Sequence, residues 1–169
     1  MTAATRTVRA ATRADLERIR EIYNEGIEDR VATLDTEPKS AASIEAWFAE
    51  HGERYEILVA EEAGRVVGWV SLNRYSQRCV YDGVADLSVY VTRALRGKGI
   101  GSFLLRAIEE RARTRGFRKI VLFTLLFNAL GQALYAKLGY REVGVFKEQG
   151  KLDGRLVDVM AMEKILNRM

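Results

Sequence analysis

Apolar residues recur along the chain at two different periods, and the switches between them mark out its elements. Thr7–Ala11 reads as a short strand. Thr12 follows, with Asp15 three residues on, and Leu16, Ile19, Ile22 and Tyr23 then repeat at helical spacing. A second helix is predicted from about Ser40, carrying Ile44, Trp47 and Phe48. YEILVAEE and RVVGWVSL flank Ala63-Gly64 and read as a hairpin. DLSVYV, Asp86–Val91, is the next strand, and a glycine-rich stretch leads from it into a long helix ending near Gly116. RKIVLFTL, Arg118–Leu125, has the continuous apolar run of a buried strand. Asn128 caps a helix through ALGQALYAKL that Gly139 stops. Tyr140–Glu148 and Leu156–Lys164 are two final strands around the turn pair Asp153-Gly154. The order β-α-α-β-β-β-α-β-α-β-β places strands next to strands, which predicts an α+β mixed sheet rather than a fully parallel, doubly wound one.

Composition narrows the function classes. A length of 169 residues suits a single domain over 1–169 with a real core. Hydrophobic residues at 48% and charged residues at 30% belong to a folded chain, not a disordered one. No apolar run nears the roughly 18 residues of a membrane span, so no membrane association is expected. MTAATRTVRAATRADLERIR lacks the apolar segment of a secretion signal. The lone Cys79 allows no internal disulfide, and a cytoplasmic location is expected. The net charge is +4, yet stretches such as DLERIREIYNEGIEDR interleave both signs. That pattern is a mildly basic surface with no nucleic-acid partner expected, although a local patch for a small polyanion remains open. His51 is the only histidine and is read as a helix-end residue ahead of Gly52; with Cys79 unpartnered, no metal site is expected.

The glycine stretch is the candidate binding element. A P-loop fails, because Gly97-Lys98 is followed by Gly99 and Thr92 stands five residues before Gly97. A dinucleotide fingerprint fails as well, because Ser102 occupies its last glycine position and no acidic residue lies near position 120. What remains is Arg96-Gly97-Lys98-Gly99-Ile100-Gly101 between a strand and a helix. Glycines let a ligand approach the main chain, N–H groups at a helix start point outward, and the helix dipole and basic side chains add positive potential. That is the physics of a pyrophosphate site.

RxxGxG after DLSVYV resembles the signature of the Gcn5-related N-acetyltransferases (GNAT), and NALGQALYAKLGYREVG, Asn128–Gly144, resembles that family's second block. IYNEGIEDRVATLDTEP, VGWVSL and GKLDGRLVDVMAMEK are similar to the branch acting on phosphinothricin, methionine sulfoximine and arsinothricin, with IEDRVAT and the TEP that follows nearest the arsinothricin type. The resemblance implies the GNAT acyl-CoA N-acyltransferase fold, about seven strands flanked by four helices. It also implies acetyl-CoA as co-substrate, the α-amino group of a small glutamate-like amino acid as acceptor, and a homodimer.

Roles follow from the same resemblance. Main-chain amides of Leu87, Val89, Tyr90 and Val91 would meet the acetyl carbonyl and the pantetheine arm, where one fixed N–H contributes about 3 kcal/mol. Arg96, Gly97, Lys98, Gly99, Ile100, Gly101 and Ser102 would hold the pyrophosphate, and Asn128 would bond the arm near its sulfur. Asp86 stands where the branch commonly has glutamate and would take the amine proton; being one methylene shorter, it favours a bridging water. The structural alternative is a strand-end Asp bonded to a backbone N–H. Tyr135 stands where herbicide-resistance members often have histidine and would protonate the departing thiolate, or else serve as core with Leu130, Leu134 and Leu138. Arg78 would clasp the acceptor carboxylate, with Arg74, Tyr75 and Tyr81 secondary, and Arg30 and Thr33 would line the same pocket. Gly131 departs from the small hydroxyl residue that relatives often have there. Two other readings stay open: a non-catalytic module binding CoA or a polyanion, and an acetyltransferase for peptide or protein amines.

Overall fold

The computed structural model describes residues 5–166; expectations about residues 1–4 and 167–169 lie outside the described residues. The elements are β1 (Arg6–Ala10), α1 (Leu16–Glu28), α2 (Ala41–Glu50), β2 (Ile57–Glu62), β3 (Arg65–Arg74), β4 (Val84–Val91), α3 (Ile100–Thr114), β5 (Lys119–Leu125), α4 (Ala129–Lys137), β6 (Arg141–Leu152) and β7 (Arg155–Ile165). This is the order read from the sequence. Local chemistry accounts for the boundaries. The Thr12 N–H donates to Asp15 Oδ2 at 2.7 Å, closing a capping box ahead of α1. Ser40 Oγ accepts from the Ser43 N–H at 3.1 Å to start α2. Ala63-Gly64 and Asp153-Gly154 all have positive φ, the geometry of the tightest hairpin turns.

One mixed sheet runs in the order β1-β2-β3-β4-β5-β7-β6, antiparallel everywhere except between β4 and β5. Leu104, Leu105 and Ile108 of α3 bury against Leu58, Leu72 and Leu122 on one face. Ile19 and Ile22 of α1 and Ile44 of α2 bury against Val59 and Trp69 on the other. Each such side chain contributes about 1.5–3 kcal/mol by leaving water.

Two boundaries differ from the pattern. β3 extends to Arg74 and β4 begins at Val84, so Asn73 and Asp86 face each other within the sheet rather than bounding a loop. β6 continues past Glu148 to Leu152, where the pattern suggested a stop. A bulge lies between Phe146 and Gly150, and the Glu148 N–H left over there donates to Asp158 Oδ1 at 2.8 Å. The feature that positions the site is the β4–β5 ladder, which pairs only Val84–Asp86 with Lys119–Val121. Beyond Asp86 the strands part, and the main chain from Leu87 to Val91 faces a cleft.

Candidate active site

The cleft beside β4 gathers most of the predicted binding residues. Its walls include the Leu87–Val91 main chain, the glycine loop from Arg96 to Ser102 apart from Lys98, and Asn128, Leu134 and Tyr135 on the α4 side. Gly97 has φ +75° and Gly99 φ +84°, and Gly99 is the N-cap of α3. An L side chain in that left-handed region is strained by about 1–2 kcal/mol. Gly99→Ala is therefore expected to lower stability by about that amount and to weaken CoA binding by about tenfold as the loop N–H groups turn. Thermal unfolding and CoA calorimetry check the two parts separately.

Basic charge at the loop is less free than the sequence suggests. Arg96 Nε donates to the Val91 carbonyl at 3.2 Å, and its guanidinium pairs with Asp29 at 2.5 Å. Arg93 pairs with Asp29 too, at 2.8 Å, and the two guanidiniums hold the Asp29 carboxyl below its usual range. Arg96 thus braces the loop while sharing its charge. Lys98 contributes its carbonyl, which accepts from Arg6 of β1 at 3.4 Å, and its side chain does not line the cleft.

Asn128 caps α4: its Oδ1 accepts from the Gly131 N–H at 3.1 Å and its Nδ2 donates to Thr124 Oγ1 at 3.3 Å. A Cβ on Gly131 would lie 2.5 Å from Asn128 Nδ2, so the glycine is what lets Asn128 fold over the helix start. Tyr135 enters the cleft one turn further along α4, its ring packed edge-on to Tyr140 at 5.9 Å. Burial first, then the charges of Tyr90 and Asp86, push its phenol well above the ordinary value.

On the opposite face of β4 lies a second cavity of about 530 Å³, walled by Tyr23, Trp47, Trp69 and Tyr90. Its polar lining is Lys39, Asn73, Arg74, Asp86 and Ser88. The Trp69 and Tyr90 rings stack at 5.0 Å, with Tyr23 edge-on to Tyr90 at 4.8 Å. Asp86 points into this cavity. Burial pushes its carboxyl up to about 6, partly offset by bonds from Asn73 and the Leu87 N–H. Ser88 and Tyr90 border both cavities, so β4 is a shared wall with Asp86 on one side and Tyr135 on the other.

The predicted acceptor residues separate into two groups. Arg74, Tyr75 and Tyr81 border, with Asp86, a shallow depression at the end of β3. Arg74 Nε donates to the Ser76 carbonyl at 3.2 Å, and its charge meets Asp82 at 3.4 Å. Arg78 instead lies over the Tyr81 ring at 5.8 Å, outside both cavities and the depression. Arg30 is spent on structure: it pairs with Asp153 at 3.0 Å and donates to the Ile27 carbonyl at 2.9 Å. Thr33 Oγ1 accepts from the Asp35 N–H at 3.1 Å and lies against the Tyr90 hydroxyl. Sequence reasoning missed Asn73, Tyr23 and Trp47 as lining and gave His51 no role; Asn73 was detectable only through its register with Asp86.

The cleft opens beside an interrupted parallel ladder, runs into a glycine loop at a helix start and carries a half-buried phenol, the arrangement expected of an acyl-CoA-dependent transferase. The profile of the "Acetyltransferase (GNAT) family" matches residues 16–140. The chain belongs to that family and is an acetyl-CoA-dependent N-acetyltransferase. It is 35% identical over 159 residues to an L-methionine sulfoximine/L-methionine sulfone acetyltransferase of Pseudomonas aeruginosa, covering 93% of this chain and 92% of that protein. A phosphinothricin acetyltransferase of Sinorhizobium meliloti, solved in complex with acetyl-CoA, superimposes with a TM-score of 0.90 at 34% identity, over 99% of this chain and 90% of that one. A ribosomal-protein-alanine N-acetyltransferase of Brucella melitensis gives a TM-score of 0.91 at 32% identity, over 94% of this chain and 99% of that one. No helix among the described residues is long and apolar enough to cross a membrane.

Proposed function

We propose that this enzyme acetylates the α-amino group of a small glutamate-like amino acid of the phosphinothricin, methionine sulfoximine or arsinothricin type, with Asp86 as base and Tyr135 as acid. The observation that carries this reading is the division of labour across β4. One face presents a carboxylate whose affinity for a proton is raised to about 6, and the other a phenol that stays protonated. Asp86 takes the amine proton through a water, which frees the nitrogen lone pair to attack the acetyl carbonyl carbon. Main-chain N–H groups of β4 face the oxygen as it gains charge. The carbon–sulfur bond then breaks, the Tyr135 hydroxyl donates to the departing sulfur, and the second proton that the nitrogen sheds on becoming an amide passes through solvent to restore the phenol. Acetyl-CoA brings the activated acetyl group; the glycine loop and Asn128 hold its diphosphate and arm.

Arg74 is the acceptor's carboxylate partner in this reading, because it borders the same space as Asp86, and Arg78 does not. The aromatic-walled cavity suits a short side chain. A homodimer within the cytoplasm belongs to the same reading, and the exposed apolar Val143, Phe146 and Leu156 on β6 and β7 favour it.

The test is release of free CoA thiol from acetyl-CoA against phosphinothricin, methionine sulfoximine, methionine sulfone, arsinothricin, glutamate and peptide amines. Turnover confined to the glutamate mimics supports the proposal; turnover confined to peptides moves the acceptor to protein N-termini. Arg74→Ala is expected to raise the amino-acid KM about tenfold or more and leave that of acetyl-CoA alone, as loss of one charge-assisted pair does. Arg78→Ala is expected to match wild type in both, and the reverse pattern restores Arg78 as the clasp.

A further inference from the structure

His51 sits at the C-cap of α2 with both ring nitrogens against oxygen atoms. Nδ1 is 2.8 Å from the Trp47 carbonyl, and Nε2 is 3.1 Å from Asn73 Oδ1. Asn73 Oδ1 also accepts from Ser71 Oγ at 2.9 Å. The Nδ2 end of the same amide donates to Asp86 Oδ2 at 3.2 Å and to Ser88 Oγ at 3.0 Å. A continuous hydrogen-bonded row therefore joins the sole histidine of the chain to the carboxylate on β4.

We propose that His51, acting through the Asn73 amide, is a positioning residue that exchanges charge with Asp86: it keeps its second ring proton while Asp86 is ionised and gives it up when Asp86 is protonated. The inference rests on the reading of Asp86 as the base. The argument is one of donors and acceptors. A carbonyl only accepts, so Nδ1 carries hydrogen in every state. An ionised carboxylate also only accepts, so Asn73 must turn its NH₂ toward Asp86. That leaves Oδ1 facing Nε2, and the row is complete only when Nε2 donates as well. When Asp86 takes the amine's proton it becomes a donor, and the amide satisfies everyone by turning over. Its oxygen then accepts from the Asp86 and Ser88 hydroxyls, and its NH₂ donates to a bare Nε2 and to Ser71. One proton arrives at Asp86, one leaves His51 for solvent, and the row is neutral in sum before and after. No bond other than those to hydrogen changes.

His51 is half-buried at the C-terminus of α2. Glu50 of α2 and Arg74 of β3 line the cavity with it. Tyr55 lies before β2 on the same side; Tyr23, Lys39 and Tyr90 close the far wall. A simple helix-end residue needs only the Nδ1 hydrogen, so the second hydrogen is what separates the two explanations.

Because there is one histidine, its ring nitrogen resonances assign themselves in an NMR spectrum. The pH at which Nε2 loses its hydrogen is expected to fall by about one unit in Asp86→Asn, since an opposite charge within reach has been removed. An identical His51 titration in wild type and Asp86→Asn overturns the proposal. His51→Gln keeps a donor for the end of α2 and removes the charge. It is expected to lower kcat by about tenfold, with both KM values within about twofold, and to move the acid limb of kcat upward in pH. An unmoved limb with wild-type kcat also overturns it. Failure of the base reading looks different: Asp86→Asn would then keep wild-type kcat while the NMR coupling persisted.

Discussion

Tyr135→Phe is expected to lower kcat about a hundredfold while leaving the KM for acetyl-CoA within about twofold. The substitution removes one O–H and keeps the ring, including its edge contact with Tyr140 at 5.9 Å. Binding is therefore untouched, and the loss falls on the step in which sulfur gains charge. The phenol is held well above its ordinary value, so it stays protonated across the neutral and alkaline range. Complete transfer to a free, hydrated thiolate would then be uphill. A sulfur leaving inside the same cleft loses part of its hydration and is raised for the same reason, and the two proton affinities approach each other. The main contribution is a hydrogen bond that strengthens as the carbon–sulfur bond breaks, a donor aimed at charge that exists only in the transition state. It follows that Tyr135 gives the wild-type enzyme no loss of rate between about pH 7 and pH 9, because its ionisation lies beyond that window. Single-turnover rates in wild type and variant measure this directly. A wild-type rate in Tyr135→Phe would mean that sulfur leaves without a donor there and that the ring is core.

The division of the chain into elements was legible because its signals are local. Capping by Thr12, Ser40 and Asn128, the two positive-φ turn pairs and the run of apolar residues through β5 each act within a few residues. The glycine loop was legible for the same reason, its conformation being a property of Gly97 and Gly99 themselves. What the pattern could not supply was pairing between distant segments. Asn73 looked like a loop residue because nothing local shows that β3 continues through it, and its role depends on standing opposite Asp86. Arg96 looked like free positive charge because Asp29, which takes part of it, lies on another element.

Arg78 and Arg74 make the same point from the acceptor side. Both sit in one Arg- and Tyr-bearing segment, and composition cannot rank them. The tight 3-10 turn at Cys79–Tyr81 sends Arg78 over the Tyr81 ring, whereas Arg74 is still on the strand and stays beside Asp86. His51 was set aside as a helix end, which it is. Its second nitrogen meets the amide of a residue 22 positions away, a relation no helical pattern contains.

Asp86→Asn is expected to make the protein inactive and more stable at once. Activity falls because the amine proton has no acceptor: kcat drops by about 100-fold or more, and the acid limb near pH 6 of the wild-type profile is absent from the variant's. Stability rises for the reason that makes Asp86 a good base. Its carboxyl is moved from 3.8 to about 6 by burial, so the folded state binds the proton more tightly than the unfolded chain does. That linkage favours folding most fully below about pH 4 and is lost as pH rises through about 6. At pH 8 the wild type therefore carries an ionised carboxylate that the fold disfavours by about 1–3 kcal/mol, and the neutral amide does not. Denaturant melts of both proteins at pH 5, 6, 7 and 8 should show the gap opening with pH. A variant that is inactive but less stable at pH 8 would point to a structural carboxylate bonded within its strand, the alternative the sequence left open. A variant that is inactive and more stable separates chemistry from folding, because nothing that strengthens the fold while abolishing turnover can be acting through the fold.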